Sequence, residues 1–274
     1  GCATRNNLDD AIDKLKSSEF EITPERHSVY FIIGAFWVYN NYKNLINMKN
    51  RGVKFALFVH DLIQIRNIDY VTESSRNEFL SRFTDIIFLV DLIITNSNYV
   101  ADDVNAFISE YMSSTLFIRP KIVPIKLATE TNIANKGYKT NVDNGNIISK
   151  KSGYVLCVGT MEIRKNNMYL VKIWERLIKR YGVENVPDLY FCGKRGWRNE
   201  EFFSYIEQKK YVGAWIHLFE NVPDNFLDEL YDNALFTCYV SFAEGWGLPI
   251  SESLSHGKLC VASNVSSMPE AGGH

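Results

Sequence analysis

The chain has 274 residues, 46% of them hydrophobic and 23% charged, with a formal net charge of −2 and a pI near 6.3. That is the balance of a folded globular protein long enough for two ordinary domains. It offers no global basic field for nucleic acid and no apolar run near the roughly 20 residues that span a bilayer. The opening "GCATRNNLDDAIDKLK" lacks the apolar stretch of a signal peptide, so the chain reads as cytoplasmic.

In chain order, "VYFIIG", "KFALFVHD" and "LIITNS" read as strands of a first lobe. The stretches "YNNYKNLINMKN", "ESSRNEFLSRFTDIIFLV" and "NYVADDVNAFISEYM" read as its helices. A further run, "LFIRPKIVPIKLA", leads into a polar Asn-, Lys- and Gly-rich segment without apolar periodicity. Residues 128–152 are therefore expected to be an interdomain linker between lobes at 1–127 and 153–274.

The second lobe alternates more regularly. "YVLCVGT", "DLYFCG", "IHLFENV", "LFTCYVS" and "LCVASN" are strand-like, and helical patterns separate them. Strands that are apolar throughout, rather than alternating, imply a parallel sheet covered on both faces. Four of the five cysteines, Cys157, Cys192, Cys238 and Cys260, lie in these runs. With no C-x-x-C pair and scattered histidines, buried thiols are expected rather than a zinc site. The fold class is α/β, with two doubly wound, Rossmann-like lobes.

In such sheets ligands bind outside the carboxyl ends of the strands. There the sequence places His60-Asp61 and Asn96-Ser97 in the first lobe, and "GTMEIRKN", "GKRGW" and "SFAEGWG" in the second. Glu244 follows a strand, Pro249 suits a first helical turn, and Glu252 falls one turn inside that helix. Gly245 and Gly247 allow close backbone approach, and a helix N-terminus favours phosphate. Two carboxylates around a phosphate site suit the hydroxyls of a nucleotide-sugar. Taken singly, Glu252 could merely complement the helix dipole, Arg164-Lys165 could open a solvated helix, and His60 could be a structural residue. Asp61 reads as a turn cap, and Asp102-Asp103 as a solvated helix face.

"EGWGLPISES", with its E-x7-E spacing, and "VGTMEIRKN" resemble the retaining glycosyltransferases of family 4, which have the GT-B fold with the active site between two lobes. "FALFVHDLI", "LIITNSNYVADDV" and "GWGLPISESLSHGKLCVASNVSSMPEAGG" are similar to segments of bacterial mannosyltransferases that make O-antigen or capsular polysaccharide. The resemblance runs over about residues 28–273. It implies an acceptor-side first lobe and a donor-binding second lobe. Arg164 and Lys165 would neutralise the donor diphosphate, Glu244 would hold the donor sugar, and Glu252 the ribose. Gly245 and the backbone around Gly247 and Leu248 would touch diphosphate or sugar, with Gly159 and Thr160 completing the donor set. His60 would face the transferred sugar from the other lobe. Many family members carry arginine where Thr160 stands, which leaves Arg164 that load. Arg195 is either a further helper or a solvated loop arginine.

The implied donor is a nucleoside-diphosphate sugar, GDP-mannose in the favoured case, with no metal or other cofactor. The implied acceptor is a glycan or lipid-linked glycan at the cytoplasmic face of the inner membrane, with peripheral membrane contact and no nucleic acid. A non-catalytic nucleotide-sugar-binding module and a GT-B epimerase are the alternatives. A dehydrogenase is disfavoured because no G-x-G-x-x-G follows a strand. Both lobes are expected to be incomplete: "VYFIIG" matches a middle strand of the family's first lobe, and "MPEAGGH" stops where family members continue.

Overall fold

The computed structural model describes residues 27–38, 42–112, 117–127 and 153–273. The expected linker at 128–152 lies outside them. The first lobe is a parallel sheet of β1 (Val29–Ile32), β2 (Lys54–Val59), β3 (Leu92–Thr95) and β4 (Lys121–Pro124), in that spatial order. Its helices are α1 (Tyr42–Asn50), the short α2 (Ile63–Arg66), α3 (Glu73–Ile87) and α4 (Asn98–Tyr111). Thr72 caps α3 by accepting from the Ser75 N–H, and Ser97 caps α4 by accepting from the Val100 N–H. Phe79, Phe83, Ile86 and Ile87 recur at helical spacing on α3 and drive that face into the core. There Phe83 meets Phe107 of α4 at 4.9 Å between ring centroids.

The second sheet holds β5 (Tyr154–Val158), β6 (Asp188–Cys192), β7 (Ile216–Phe219), β8 (Phe236–Tyr239) and β9 (Cys260–Ala262). Its order is β7-β6-β5-β8-β9, and every pairing is parallel. Helices α5 (Asn167–Tyr181), α6 (Glu200–Gln208), α7 (Asp224–Asn233), α8 (Leu248–Ser255) and α9 (Met268–Ala271) follow the strands. One cluster around Leu170, Trp174 and Phe202 covers one side of the sheet, and another around Tyr190, Leu230 and Tyr231 covers the other. β6 is buried along its whole length, as its unbroken apolar run predicts. The chain runs from β5 outward through β6 and β7, then returns to lay β8 on the far side of β5. The β5/β8 boundary is thus the switch point where a crevice opens at the strand ends.

Burial on both faces does not extend to the outer strands. On β1, Val29 is 65% exposed, and on β9, Val261 is 55% exposed. Cys260 is accordingly only half-buried, unlike Cys157, Cys192 and Cys238. Asp103 also departs from expectation. It is not a solvated face residue but pairs with Arg66 at 2.7 Å, tying α4 to α2. No helix among the described residues is long and apolar enough to cross a membrane.

Among the described residues, the lobes meet in at least three places. Glu270 of α9 accepts from the backbone N–H groups of Asn98 and Tyr99 at 2.9 and 2.8 Å, where α4 presents unpaired donors. Trp197 donates to the Tyr70 carbonyl at 3.1 Å, and Arg198 donates to the carbonyls of Asp69 and Val71 at 2.7 and 3.1 Å. The third contact is the tightest. Gly245 lies so close to the first lobe that a Cβ there would stand 2.1 Å from the His60 carbonyl oxygen, while Ser97 donates to the Gly245 carbonyl at 3.0 Å. A backbone oxygen cannot swing aside as a side chain can. Gly245→Ala should therefore separate the lobes, lowering the melting temperature or splitting the calorimetric transition. Gly34→Ala, where a Cβ meets nothing within 4 Å, is the control. Identical single transitions for both variants would refute the packing argument.

Candidate active site

The second lobe's strand ends converge on one charged cluster. After β5 the chain passes through Gly159 and Thr160 into a 3-10 turn, Ile163–Lys165, that ends on Asn166. Asn166 has φ +58°, a left-handed conformation that asparagine tolerates better than most residues. That reversal lets Arg164 and Lys165 turn back over the sheet edge instead of continuing along α5. The Lys165 side chain crosses Gly159, its Cε 3.5 Å from where a Cβ would be. Thr160 is exposed at the lip of the turn.

From the β8 side comes Glu244, only 8% exposed. Arg164 Nη1 and Lys165 Nζ approach the same oxygen, Glu244 Oε1, at 2.7 and 2.8 Å. Arg164 also pairs with Glu162 at 2.5 Å and donates to the Ala243 carbonyl at 2.5 Å. Lys165 donates to the Tyr239 hydroxyl at 2.6 Å, with its ammonium 4.7 Å from that ring's centre. Burial alone would raise the Glu244 carboxyl, but Lys165 and Arg164 outweigh it and hold the pKa below the ordinary value. Burial pushes the Lys165 ammonium down, only partly offset by Glu244. The Tyr239 phenol is pushed up by burial and by Glu244. Backbone bonds fix the carboxylate's loop: the Glu244 N–H donates to Ser266 Oγ at 3.0 Å, and Ser267 donates to the Glu244 and Trp246 carbonyls at 2.8 and 3.1 Å.

Gly247, with φ +107°, begins α8, and Leu248 is its first residue. This helix end has no side-chain cap, Pro249 carries no N–H and the Ile250 N–H donates to the Gly247 carbonyl at 2.9 Å, which leaves the Leu248 N–H as the donor its first turn can offer an anion. Glu252 lies one turn on, where its Oε2 accepts from the Tyr231 hydroxyl at 2.7 Å. Tyr231 stacks on His256 at 5.0 Å, and His256 meets Asp232 at 2.8 Å. The first lobe contributes an exposed His60, whose ring lies 4.8 Å from that of Phe58 and whose backbone carbonyl is pressed against Gly245.

Asp61 caps its turn as the sequence suggests, accepting from the Ile63 N–H at 3.0 Å. It also faces a cavity of about 440 Å³ between the lobes, shared with Tyr70, Arg164 and Trp197. Burial raises the Asp61 carboxyl, against the opposing pull of the Ile63 N–H and Arg164. Arg195 stands exposed on its loop, where it pairs with Glu220 at 2.9 Å and covers Phe203 at 4.4 Å.

The structure therefore brings Gly159, Arg164, Lys165, Glu244, Gly245, Gly247 and Leu248 to one crevice edge, with His60 opposite Gly245 and Glu252 one helical turn away. Sequence reasoning missed Tyr239, Tyr231, Asn166 and the Ser266-Ser267 pair. For Asn166 the signal was present, since asparagine just before a helix is a turn residue. The two tyrosines sit in a strand and a helix, where nothing distinguishes them from core.

Comparison with known proteins agrees with this architecture. Residues 139–274 match the family described as glycosyl transferases group 1. An O-antigen chain mannosyltransferase B from Escherichia coli is 40% identical over 121 residues, 44% of this chain and 31% of that protein. A serotype-specific mannosyltransferase, WbdA, from the same organism is 24% identical over 215 residues, 76% of this chain and 25% of that protein. The chain thus spans between a quarter and a third of the length of these relatives. Among solved structures, an α,α-trehalose-phosphate synthase (UDP-forming) from Burkholderia vietnamiensis superposes with a TM-score of 0.65 at 9% identity, over 98% of this chain and 65% of that one. The two lobes together form a GT-B fold, and residues 139–274 are similar to the group 1 glycosyl transferases.

Proposed function

We propose that the crevice is the donor site of a retaining glycosyltransferase. It passes a hexose, mannose in the favoured case, from a nucleoside-diphosphate sugar to a hydroxyl of a growing surface glycan. The observation that carries this reading is the cluster of Arg164, Lys165 and Glu244 at the β5/β8 switch point, beside the uncapped start of α8. Two side-chain cations beside a helix N-terminus suit a diphosphate that gains charge as the glycosidic bond breaks. Glu244, held by two cations and with its pKa lowered, is poorly suited to attack an anomeric carbon. It is suited to accept hydrogen bonds from sugar hydroxyls. The acceptor hydroxyl then attacks from the leaving group's own face, in a cleft from which the opposing lobe excludes water.

Glu252 would take the ribose, and Tyr231 positions it. His60 would face the transferred sugar. The names of the relatives support mannose, and the UDP-forming neighbour supports a nucleotide donor. In this reading the site needs no metal, because Arg164 and Lys165 stand where one would act. The acceptor would be lipid-linked, presented at the cytoplasmic face of the membrane.

A thermal-shift panel of GDP-, UDP-, ADP- and dTDP-sugars tests the donor assignment, because specific binding stabilises by RT ln(1 + [L]/Kd). GDP-mannose is expected to give the largest shift. A flat panel would sink the nucleotide-sugar reading, and binding without any release of sugar would favour a non-catalytic module.

In a turnover assay, Arg164→Ala and Lys165→Ala should each lower kcat about a hundredfold or more, the scale of losing one charge-stabilising donor. Near-normal turnover in both would remove the cationic role. The two glutamates should separate by calorimetry with the bare nucleoside diphosphate. Glu252→Ala is expected to weaken its binding, and Glu244→Ala to leave it nearly intact while damaging turnover. Equal losses in both would contradict the division between ribose and sugar.

A further inference from the structure

Behind Glu252 lies a titratable cluster that the proposed chemistry leaves unused. His256 stands at the C-terminal end of α8, and its backbone N–H donates to the Glu252 carbonyl at 3.1 Å. The two side chains are four residues apart, so they share one face of the helix. Asp228, Tyr231 and Asp232 of α7 meet that face, at a spacing that also gathers them on one side of their own helix.

His256 Nδ1 lies 2.8 Å from Asp232 Oδ1, and Nε2 lies 3.4 Å from Asp228 Oδ1. A neutral imidazole has one N–H, so its other nitrogen would turn a lone pair toward the second carboxylate. Carboxylates on both ring nitrogens therefore select the doubly protonated ring. His217 is a contrast: it meets Asp188 through Nε2 at 3.2 Å, which a neutral ring can also do. The end of α8 adds to the preference, because a helix C-terminus favours a cation. The His256 side chain is only 10% exposed, so the ring is held in place rather than free in solvent.

That ring lies flat on Tyr231, with centroids 5.0 Å apart and an interplanar angle of 11°. Tyr231 is buried, and its hydroxyl donates to Glu252 Oε2 at 2.7 Å. Burial and the neighbouring Glu252 push the Tyr231 phenol far up, so it stays a donor through the neutral range. Around His256 stand Asp228, Tyr231 and Asp232 on α7 and Glu252 on α8, with Lys258 and Cys260 following it into β9. Of these side-chain types, imidazole is the one whose charge ordinarily changes between about pH 5 and 8.

We propose that His256 is a positioning residue for Glu252: as an imidazolium clamped between Asp228 and Asp232 it fixes the Tyr231 ring, whose hydroxyl fixes the carboxylate. When the proton leaves, one ring nitrogen faces a carboxylate without a hydrogen between them. The clamp loses one of its two arms, and the stack that orients Tyr231 loosens. Glu252 keeps its charge but loses its set direction. The consequence for a ligand rests on the reading of Glu252 as the ribose carboxylate; the relay itself does not.

Two measurements on the 274-residue chain test this. In the ligand-free protein, carboxyl-carbon NMR follows Glu252 with pH beside the ring signals of His256. The Glu252 signal is expected to track the His256 titration in the wild type. Tyr231→Phe, which keeps the stacked ring and loses the hydroxyl, should abolish that tracking. A Glu252 signal that ignores His256, or tracks it equally in Tyr231→Phe, would overturn the relay.

Calorimetry with GDP then compares the wild type with His256→Phe, which keeps a stacking ring but not the charge. The ionisation of the diphosphate is common to both proteins and cancels in their ratio. Wild type should bind about fivefold tighter than the variant near pH 5.5, the scale of a partly exposed charge-assisted hydrogen bond, and equally near pH 8. The same loss at both pH values would make His256 a merely structural residue and overturn the role of its proton. Dideoxy-GDP, which lacks both ribose hydroxyls, should show no such pH-dependent ratio. Tracking in the NMR with no effect on GDP defeats the ribose assignment alone. A GDP ratio that moves with pH while the Glu252 signal stays still defeats the relay alone.

Discussion

Glu244 is a nearly buried carboxylate, and such a group is tolerated only where opposite charge and hydrogen bonds offset its lost hydration. Arg164 and Lys165 provide the charge, but each is itself largely buried and needs the carboxylate in return. Removing any one of the three leaves an uncompensated charge, typically worth about 3–5 kcal/mol of destabilisation. The crevice therefore has its shape because the β5 turn and the β8 loop are charged in opposite senses. With Glu162 included, the cluster holds two cations and two carboxylates. Its cations are oriented but not idle. A diphosphate bound as proposed would meet charges whose geometry is already set, which is what preorganised stabilisation requires.

The ordering of the β5 turn has the same origin. Arg164 is held by Glu162 and the Ala243 carbonyl, and its own carbonyl accepts from the Phe242 N–H at 2.9 Å. Asn166 donates to the Val240 carbonyl at 3.3 Å. Arg164, Lys165 and Asn166 are thus each bonded to the Tyr239–Glu244 segment, although about 75 residues separate them in sequence. The left-handed Asn166 is stable because these bonds fix both sides of it.

Most of the second lobe could be read from its residues, because buried parallel strands leave unbroken apolar runs and helices leave a 3.6-residue period. The positions of Arg164, Lys165, Glu244 and Glu252 followed from the rule that strand ends carry ligands. Their mutual engagement did not, because it depends on which strand lies beside which. Placing β8 against β5 puts Glu244 next to Lys165, and no local pattern encodes that adjacency. Gly245 illustrates the same limit. It was read as a glycine for ligand approach, and the structure supplies a different steric reason, the His60 carbonyl of the opposite lobe. Asp103 failed for a related cause: a helix-face aspartate looks solvated until Arg66 is brought to it from another element.

That placement of Gly245 has a mechanical consequence. The segment from Ser241 to Trp246 carries Glu244 on one side, while on the other Phe242 stacks on Tyr70 and Gly245 rests on His60. The Phe242 N–H is bonded to the Arg164 carbonyl, so the cationic turn, the carboxylate loop and the first lobe share one short stretch of backbone. Trp197 and Arg198 add a second tie beside it, and Glu270 a third. A shift of the Arg164 backbone must then either break the Phe242 bond or carry Phe242 with it, and a shift of Phe242 disturbs its stack on Tyr70. Packed contacts of this kind have a few discrete arrangements rather than a continuum. If the crevice binds the donor as proposed, its occupancy and the spacing of the lobes would be coupled through this stretch, and the wall of the inter-lobe cavity lies on the path between them.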